Sequence, residues 1–251
     1  MGTTGESATL TKDEKKAVLS YILEIADRRV PVITGIGGNN TQEVVNCIRY
    51  ADLKDVDGIL SVVPYYNKPG QKGILQHFKT IATCSPVPVI MYNVPGRTCC
   101  SMSAETCLEL AHECENIVGI KESSGDMAQV IKIIKGKPEN FVLLSGDDML
   151  SIPIISLGGA GVISVLANAF PLQCSEMISH ALKGNFRAAR ELQFRLVELI
   201  DLCFAEGNPS GIKAILSTLG LSQNILRLPL VPVSRQLYSR IQKAVEEVNK
   251  T

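Results

Sequence analysis

From residue 11 onward, short runs rich in Val and Ile alternate with longer stretches whose apolar residues recur at three and four positions. That alternation marks repeated βα units around a parallel sheet, so the predicted class is α/β. Thr11 and Glu14 have capping-box spacing at the head of a helix carrying Val18, Tyr21, Ile22, Ile25 and Ala26, which ends near Arg28 and Arg29. Val30-Pro-Val-Ile-Thr34 reads as a strand running into Gly35-Ile-Gly-Gly-Asn-Asn40, where Asn40 and Glu43 cap the next helix. Further strands are predicted at 57–63, 87–92, 116–121, 141–145 and 161–165. Between them, Ile74, Leu75, Phe78 and Ile81 mark one helix, others lie near 103–114 and 128–134, and Pro153 interrupts a short one. Beyond Pro171 the pattern is helical only, over 172–183, 185–205, 209–219 and 233–248.

The six predicted strands are fewer than a closed (β/α)8 barrel uses, and the chain opens in what reads as a loop. The expected architecture is therefore an N-terminally incomplete TIM-type barrel over residues 1–183, followed by a helical region over 184–251. The strand, helix and strand expected ahead of residue 1 would take roughly 40 residues.

Composition narrows the function. In 251 residues, 45% of them hydrophobic, 25 Lys and Arg balance 25 Asp and Glu, so no global field favours nucleic acid or an anionic membrane over a small substrate. The eight cysteines form no CxxC pair and the three histidines are scattered, which argues against structural zinc. Most cysteines fall in apolar periodic segments and are expected to be reduced core residues, which suits a cytoplasmic protein. The first residues lack the basic and apolar regions of a signal peptide, and their match to a myristoylation pattern is poor.

In a parallel α/β barrel, functional groups sit at the C-terminal ends of strands. Lys121 ends Ile117-Val-Gly-Ile-Lys121, and period-two alternation places 117, 119 and 121 on one face, toward the barrel axis. An ammonium in an apolar interior loses solvation, which favours the neutral amine that attacks a ketone. Strand position alone leaves a second reading open, a rim lysine paired with Glu122 or another carboxylate. Tyr92 ends the preceding strand, and Tyr65 and Tyr66 follow the strand before that; each is either a proton relay for imine chemistry or a packing residue at the rim. Arg97 could clamp a carboxylate or form a surface ion pair, and Gly2-Thr-Thr-Gly-Glu6 offers hydroxyls and amides to a carboxylate. Gly35-Ile-Gly-Gly-Asn39 matches no phosphate loop and reads as a tight turn, and Lys68 and Lys72 should face water.

Together, Gly2-Thr-Thr-Gly-Glu-Ser-Ala-Thr-Leu10, Pro64-Tyr-Tyr-Asn67, Tyr92-Asn-Val-Pro-Gly-Arg-Thr98, Gly119-Ile-Lys-Glu122 and Leu144-Ser-Gly-Asp-Asp148 resemble the 4-hydroxy-tetrahydrodipicolinate synthase family, also called dihydrodipicolinate synthase, in order and spacing. The resemblance implies a class I aldolase-type (β/α)8 barrel with a C-terminal helical domain, assembled as a cytoplasmic homotetramer, a dimer of dimers. It implies a lyase that condenses pyruvate with L-aspartate 4-semialdehyde in the diaminopimelate and lysine pathway, with no cofactor beyond the covalent imine. By motif position Lys121 would form that imine, Tyr92 would relay protons, and Thr3 would link Tyr92 to Tyr66, which the family lends from the neighbouring subunit. Thr4 would bind the pyruvate carboxylate, Arg97 the semialdehyde, and Gly146 and Ile163 would contribute backbone around pyruvate. Two alternatives stand beside this: a related N-acetylneuraminate lyase or 2-keto-3-deoxy sugar acid aldolase, against which Arg97 argues, and a truncated non-catalytic paralogue.

The resemblance also implies a lysine effector site at Ser7, Ala8, Lys12, Lys15, Asn39, Glu43 and Tyr65. Lysine-sensitive members commonly carry histidine or glutamate where Lys15 stands, and an ammonium there repels the ligand's own charges. Weak or absent feedback is expected; loss of activity in millimolar lysine would overturn it.

Overall fold

Every residue of the run Val89–Asn93 is buried, as a strand covered on both faces requires. The computed structural model describes residues 1–250 and separates into two compact units. The first, residues 1–2, 11–146 and 157–160, is built on β1 (Ile33–Gly35), β2 (Gly58–Val62), β3 (Val89–Asn93), β4 (Ile117–Glu122) and β5 (Val142–Ser145), each paired in parallel with the next. Its helices are α1 (Lys12–Ala26), α2 (Thr41–Tyr50), α3 (Gln71–Cys84), α4 (Pro95–Thr98), α5 (Ala104–Glu113) and α6 (Met127–Gly136). The alternation read from the sequence is the alternation observed.

Local chemistry sets the helix starts. Thr11 and Glu14 form the full capping box of α1, and the Asn40 side chain accepts from the amides of Gln42 and Glu43 at the head of α2. Ser103 and Asp126 do the same for α5 and α6. Ile74, Phe78 and Ile81 of α3, Met91, Ile120 and Leu143 of the sheet and Ile133 of α6 are all fully buried, each contributing about 1.5–3 kcal/mol of transfer free energy.

Some expectations need correcting. The apolar stripe of α1 does not form core: Val18, Tyr21, Ile22 and Ile25 are exposed, and only Ala26 is buried. The first strand begins later than its apolar run, because Pro31 has no amide to donate and Val32 instead bonds the Asp57 side chain through its N–H at 2.7 Å. The Pro95 loop is a single helical turn, with Pro at its start and Cys99 at φ 54 ending it. Of the cysteines, all free thiols, only Cys107, Cys174 and Cys203 are buried, while Cys47 and Cys99 are exposed.

The second unit holds residues 3–10, 147–156 and those from 161 onward. It contains α7 (Ser151–Ser156), β6 (Gly161–Val162), α8 (Pro171–Leu182), α9 (Phe186–Phe204), α10 (Ser210–Thr218) and α11 (Arg235–Asn249). Its core includes Leu196, Leu199, Cys203, Ile212, Ile215 and Ile241. Strand β6 stops short of the predicted 165 because the amides of Val165 and Leu166 turn to the buried Asp148 carboxylate, at 2.9 and 3.1 Å, instead of continuing a ladder. Burial, with a smaller contribution from Asp148, pushes the Cys174 thiol up to about 12. Among the described residues, no helix is long and apolar enough to cross a membrane.

One buried titratable group gives the fold a pH dependence. His77 on α3 is 3% exposed, its Nδ1 shares a 2.8 Å hydrogen bond with Thr41 Oγ1, and its Nε2 is buried without a partner. Burial lowers its pKa to about 4, whereas the unfolded chain protonates it near its ordinary value of about 6.5. Between those values the unfolded state binds the extra proton, so the stability held above about pH 6.5 is lost progressively down to about pH 4, roughly 3 kcal/mol in all. Urea unfolding from neutral pH to about 4 should show that loss, and His77→Gln should remove about that much of it. An unchanged slope in the variant would exclude His77 as the source.

Candidate active site

Lys121 is the penultimate residue of β4, with Tyr92 of β3 on one side and Leu144 of β5 on the other. This register depends on an irregularity. Val89 pairs with Ile117 but Ile90 pairs with Gly119, so Val118 is passed over. Without that skip Lys121 would stand opposite Asn93; with it, Lys121 meets Tyr92 and Glu122 meets Asn93. A bulge next to a functional residue commonly re-aims its side chain in this way.

The Lys121 amine lies 4.2 Å from the centroid of the Tyr92 ring, within the range in which a cation is attracted to an aromatic face. Lys121 is 9% exposed and Tyr92 8%. Room for the lysine stem comes from Gly146, just after β5: a Cβ there would lie 1.8 Å from Ser123 Oγ and 2.6 Å from Lys121 Cε. The Ser123 hydroxyl is buried with no hydrogen-bond partner in that pocket. Sequence reasoning did not single it out, although its position two residues past the lysine was a usable signal.

The loop that follows β3 is tied to the same strand ends. Asn93 Nδ2 donates to both oxygens of Glu122, at 3.3 and 3.0 Å, and Asn93 Oδ1 accepts from the amide of Met102 at 3.0 Å. Glu122 also accepts from the Ser124 amide at 2.7 Å and Gln129 Nε2 at 3.0 Å. Between Asn93 and Met102, α4 presents Arg97 at the surface, and Thr98 Oγ1 donates to Val94 O and Cys100 O. The sequence reading named Asn93 only within its motif, and Glu122 within its own motif and as a rival partner for the lysine.

The other candidates are dispersed. Tyr65 is 42% exposed; Tyr66 is 88% exposed and has φ 73, a left-handed conformation that is strained for a tyrosine. Lys68 and Lys72 face solvent. Thr3, Thr4 and Ile163 belong to the second unit. There Thr3 O accepts from the Glu6 amide at 3.1 Å and Thr4 Oγ1 from Asn208 Nδ2 at 3.0 Å. Glu6 pairs with Lys213 at 2.5 Å. Burial alone would raise the Glu6 pKa, but Lys213 and Arg227 hold it below the ordinary carboxylate value. Of the effector candidates, Ser7 and Ala8 sit in a 3-10 turn of the second unit. In the first, Lys12 and Lys15 lie on α1, Glu43 on α2, and Asn39 O accepts from Asn67 Nδ2 at 2.8 Å.

Known proteins resemble the chain along nearly its whole length. The profile of the Dihydrodipicolinate synthetase family matches residues 1–248. The 4-hydroxy-tetrahydrodipicolinate synthase of Flavobacterium psychrophilum is 48% identical over 250 residues, covering 100% of this chain and 85% of that one. Among solved structures, dihydrodipicolinate synthase from Aquifex aeolicus superposes with a TM-score of 0.96 at 44% identity, covering 99% of this chain and 85% of that one. The chloride-inhibited dihydrodipicolinate synthase from Acinetobacter baumannii, complexed with pyruvate, gives 0.95 at 38% identity, with 99% and 85% covered.

Gly146→Ala tests the packing around the amine. The added methyl displaces Ser123 or the lysine stem, so the variant should lose about 1–3 kcal/mol of stability and change the rate at which Lys121 labels with an amine-reactive reagent, read by peptide mass. Labelling at the unsubstituted rate would show that the stem tolerates the methyl.

Proposed function

The chain belongs to the dihydrodipicolinate synthetase family, and from that membership we propose that it is a lyase condensing pyruvate with L-aspartate 4-semialdehyde to give 4-hydroxy-tetrahydrodipicolinate, toward diaminopimelate and lysine. The fold is of the (β/α) barrel type with C-terminal helices. The observation that carries the reading is the buried Lys121 amine against the Tyr92 ring at the end of β4.

The Lys121 amine attacks C2 of pyruvate, and its carbonyl oxygen takes up a proton to give a carbinolamine. Loss of water breaks the C2–O bond and leaves the imine. Protonated, that imine draws electrons from C2, so the methyl carbon gives up a proton and becomes an enamine nucleophile. The enamine carbon bonds to the aldehyde carbon of the semialdehyde as the C=O π bond breaks, and that oxygen takes up a proton and stays as the 4-hydroxyl; the amine of the same molecule then attacks C2, the bond to Lys121 breaks, the ring closes, and the lysine is returned. No cofactor is required, because the imine itself is the electron sink.

Tyr92 is the group that moves protons to and from oxygen in the carbinolamine steps, with Thr3 and Tyr66 completing a relay. Thr4 takes the pyruvate carboxylate, Gly146 and Ile163 contribute backbone around it, and Arg97 holds the semialdehyde. The exposure and left-handed backbone of Tyr66 support its use in a neighbouring subunit's site, and the working assembly is a homotetramer built as a dimer of dimers in the cytoplasm. At the effector positions, the ammonium of Lys15 argues for weak response to lysine.

Borohydride added with pyruvate should leave one reduced pyruvyl group on Lys121 of the intact chain and none on Lys121→Ala. Tyr92→Phe should lower kcat by about 100-fold or more. A chain that stays unmodified in pyruvate and borohydride would overturn the reading.

A further inference from the structure

One residue beyond the Lys121–Tyr92 pair, the same two strands carry a second pair that the chemistry above leaves unused. Asn93 and Glu122 are register partners, 0% and 2% exposed. Side chains alternate along a strand, so this pair lies on the opposite face from the amine and the phenol.

Its bonding is directional throughout. A carboxylate only accepts hydrogen bonds, and Glu122 accepts from Asn93 Nδ2, Gln129 Nε2 and the Ser124 amide. Asn93 directs its other polar contacts to Ser101 Oγ, at 3.4 Å, and the Met102 amide. The pair thus joins the ends of β3 and β4, the start of α6 and the far end of the loop carrying Arg97. The backbone ladder continues alongside it, with Ser123 N–H to Asn93 O at 2.9 Å and Gly146 N–H to Glu122 O at 2.8 Å. Satisfied buried networks of this kind rigidify what they connect, and misplacing a reacting group by about 1 Å costs on the order of 100-fold in rate.

We propose that Asn93 and Glu122 are positioning residues, a buried brace that holds Lys121 opposite Tyr92 and fixes the loop that presents Arg97. This rests on the reading of Lys121 as the imine-forming amine.

The test compares the unsubstituted chain with Asn93→Asp, Glu122→Gln and the paired exchange N93D/E122Q. Each is read by the rate of borohydride-trapped pyruvate adduct on Lys121 at saturating pyruvate, with circular dichroism and the thermal midpoint measured separately. Asn93→Asp sets two carboxylates face to face, so trapping by the folded variant should fall at least about tenfold. It should recover as pH is lowered, because a proton shared between the two acids restores a donor. The exchange again faces one carboxylate with one amide, while the Gln129 amide turns to present its oxygen, and trapping should return to within about threefold of the unsubstituted rate. If Asn93→Asp does not fold, Glu122→Gln against the exchange carries the comparison, with a loss in the first and recovery in the second. A folded single variant that traps at the unsubstituted rate overturns the brace, as does a folded exchange that fails to recover. Absence of adduct from the unsubstituted chain overturns the imine reading and the brace with it.

Discussion

The skipped residue in β4 governs the site. Strands β3 and β4 start in register at Val89 and Ile117, and had they continued so, Lys121 would face Asn93 and Tyr92 would face Ile120. Passing over Val118 advances β4 by one residue, and in a sheet with a side-chain period of two, one residue decides which groups meet. Val118 is also the one residue of β4 that is not buried, which is where an extra residue costs the least packing. After the skip the register holds from Ile90 to Asn93, locked by apolar residues buried on both faces.

What the bulge aligns, small residues make room for. Gly119 permits β5 to come close, since a Cβ there would lie 2.7 Å from the Val142 carbonyl oxygen. Gly146 does the same for the lysine stem. At Gly119 relief would have to move the Val142 backbone, and at Gly146 the Ser123 hydroxyl or the lysine stem would have to give. Overpacking of that kind costs typically about 1–3 kcal/mol in a well-packed interior, and here it would also cost geometry.

Most of this fold was readable from periodicity and caps. Apart from the start of the first strand and the end of the sixth, the strand segments, the Thr11–Glu14 capping box and the C-terminal helices fall where the sequence put them, and the position of Lys121 at a strand end followed from strand length alone. Three things were not readable. The skip at Val118 leaves no compositional mark, because Ile-Val-Gly-Ile reads equally well with and without it. The exposure of Tyr21 and Ile25 depends on what packs against α1, which periodicity does not report. The Asn93–Glu122 bonds join residues 29 apart in sequence, and a single chain carries no sign of such pairing until the register brings them opposite. Motif resemblance singles out Lys121, Tyr92 and Arg97 because those motifs are contiguous; it does not report the bonds that join one motif to another.

Lys121 and Glu122 also show how one strand end can carry two polar residues under opposite demands. The glutamate is surrounded by donors on its own face, from Asn93, Ser124 and Gln129, and a carboxylate so surrounded has little to gain by moving. The lysine, on the other face, lies beside an aromatic ring and a glycine. Adjacent positions in a strand point to opposite sides, so the glutamate sits next to the lysine in sequence without competing for the same space. Placing Glu122 one residue from the amine also means that any shift in register would displace both together, which ties the proposed chemistry to the same irregularity that aligns it.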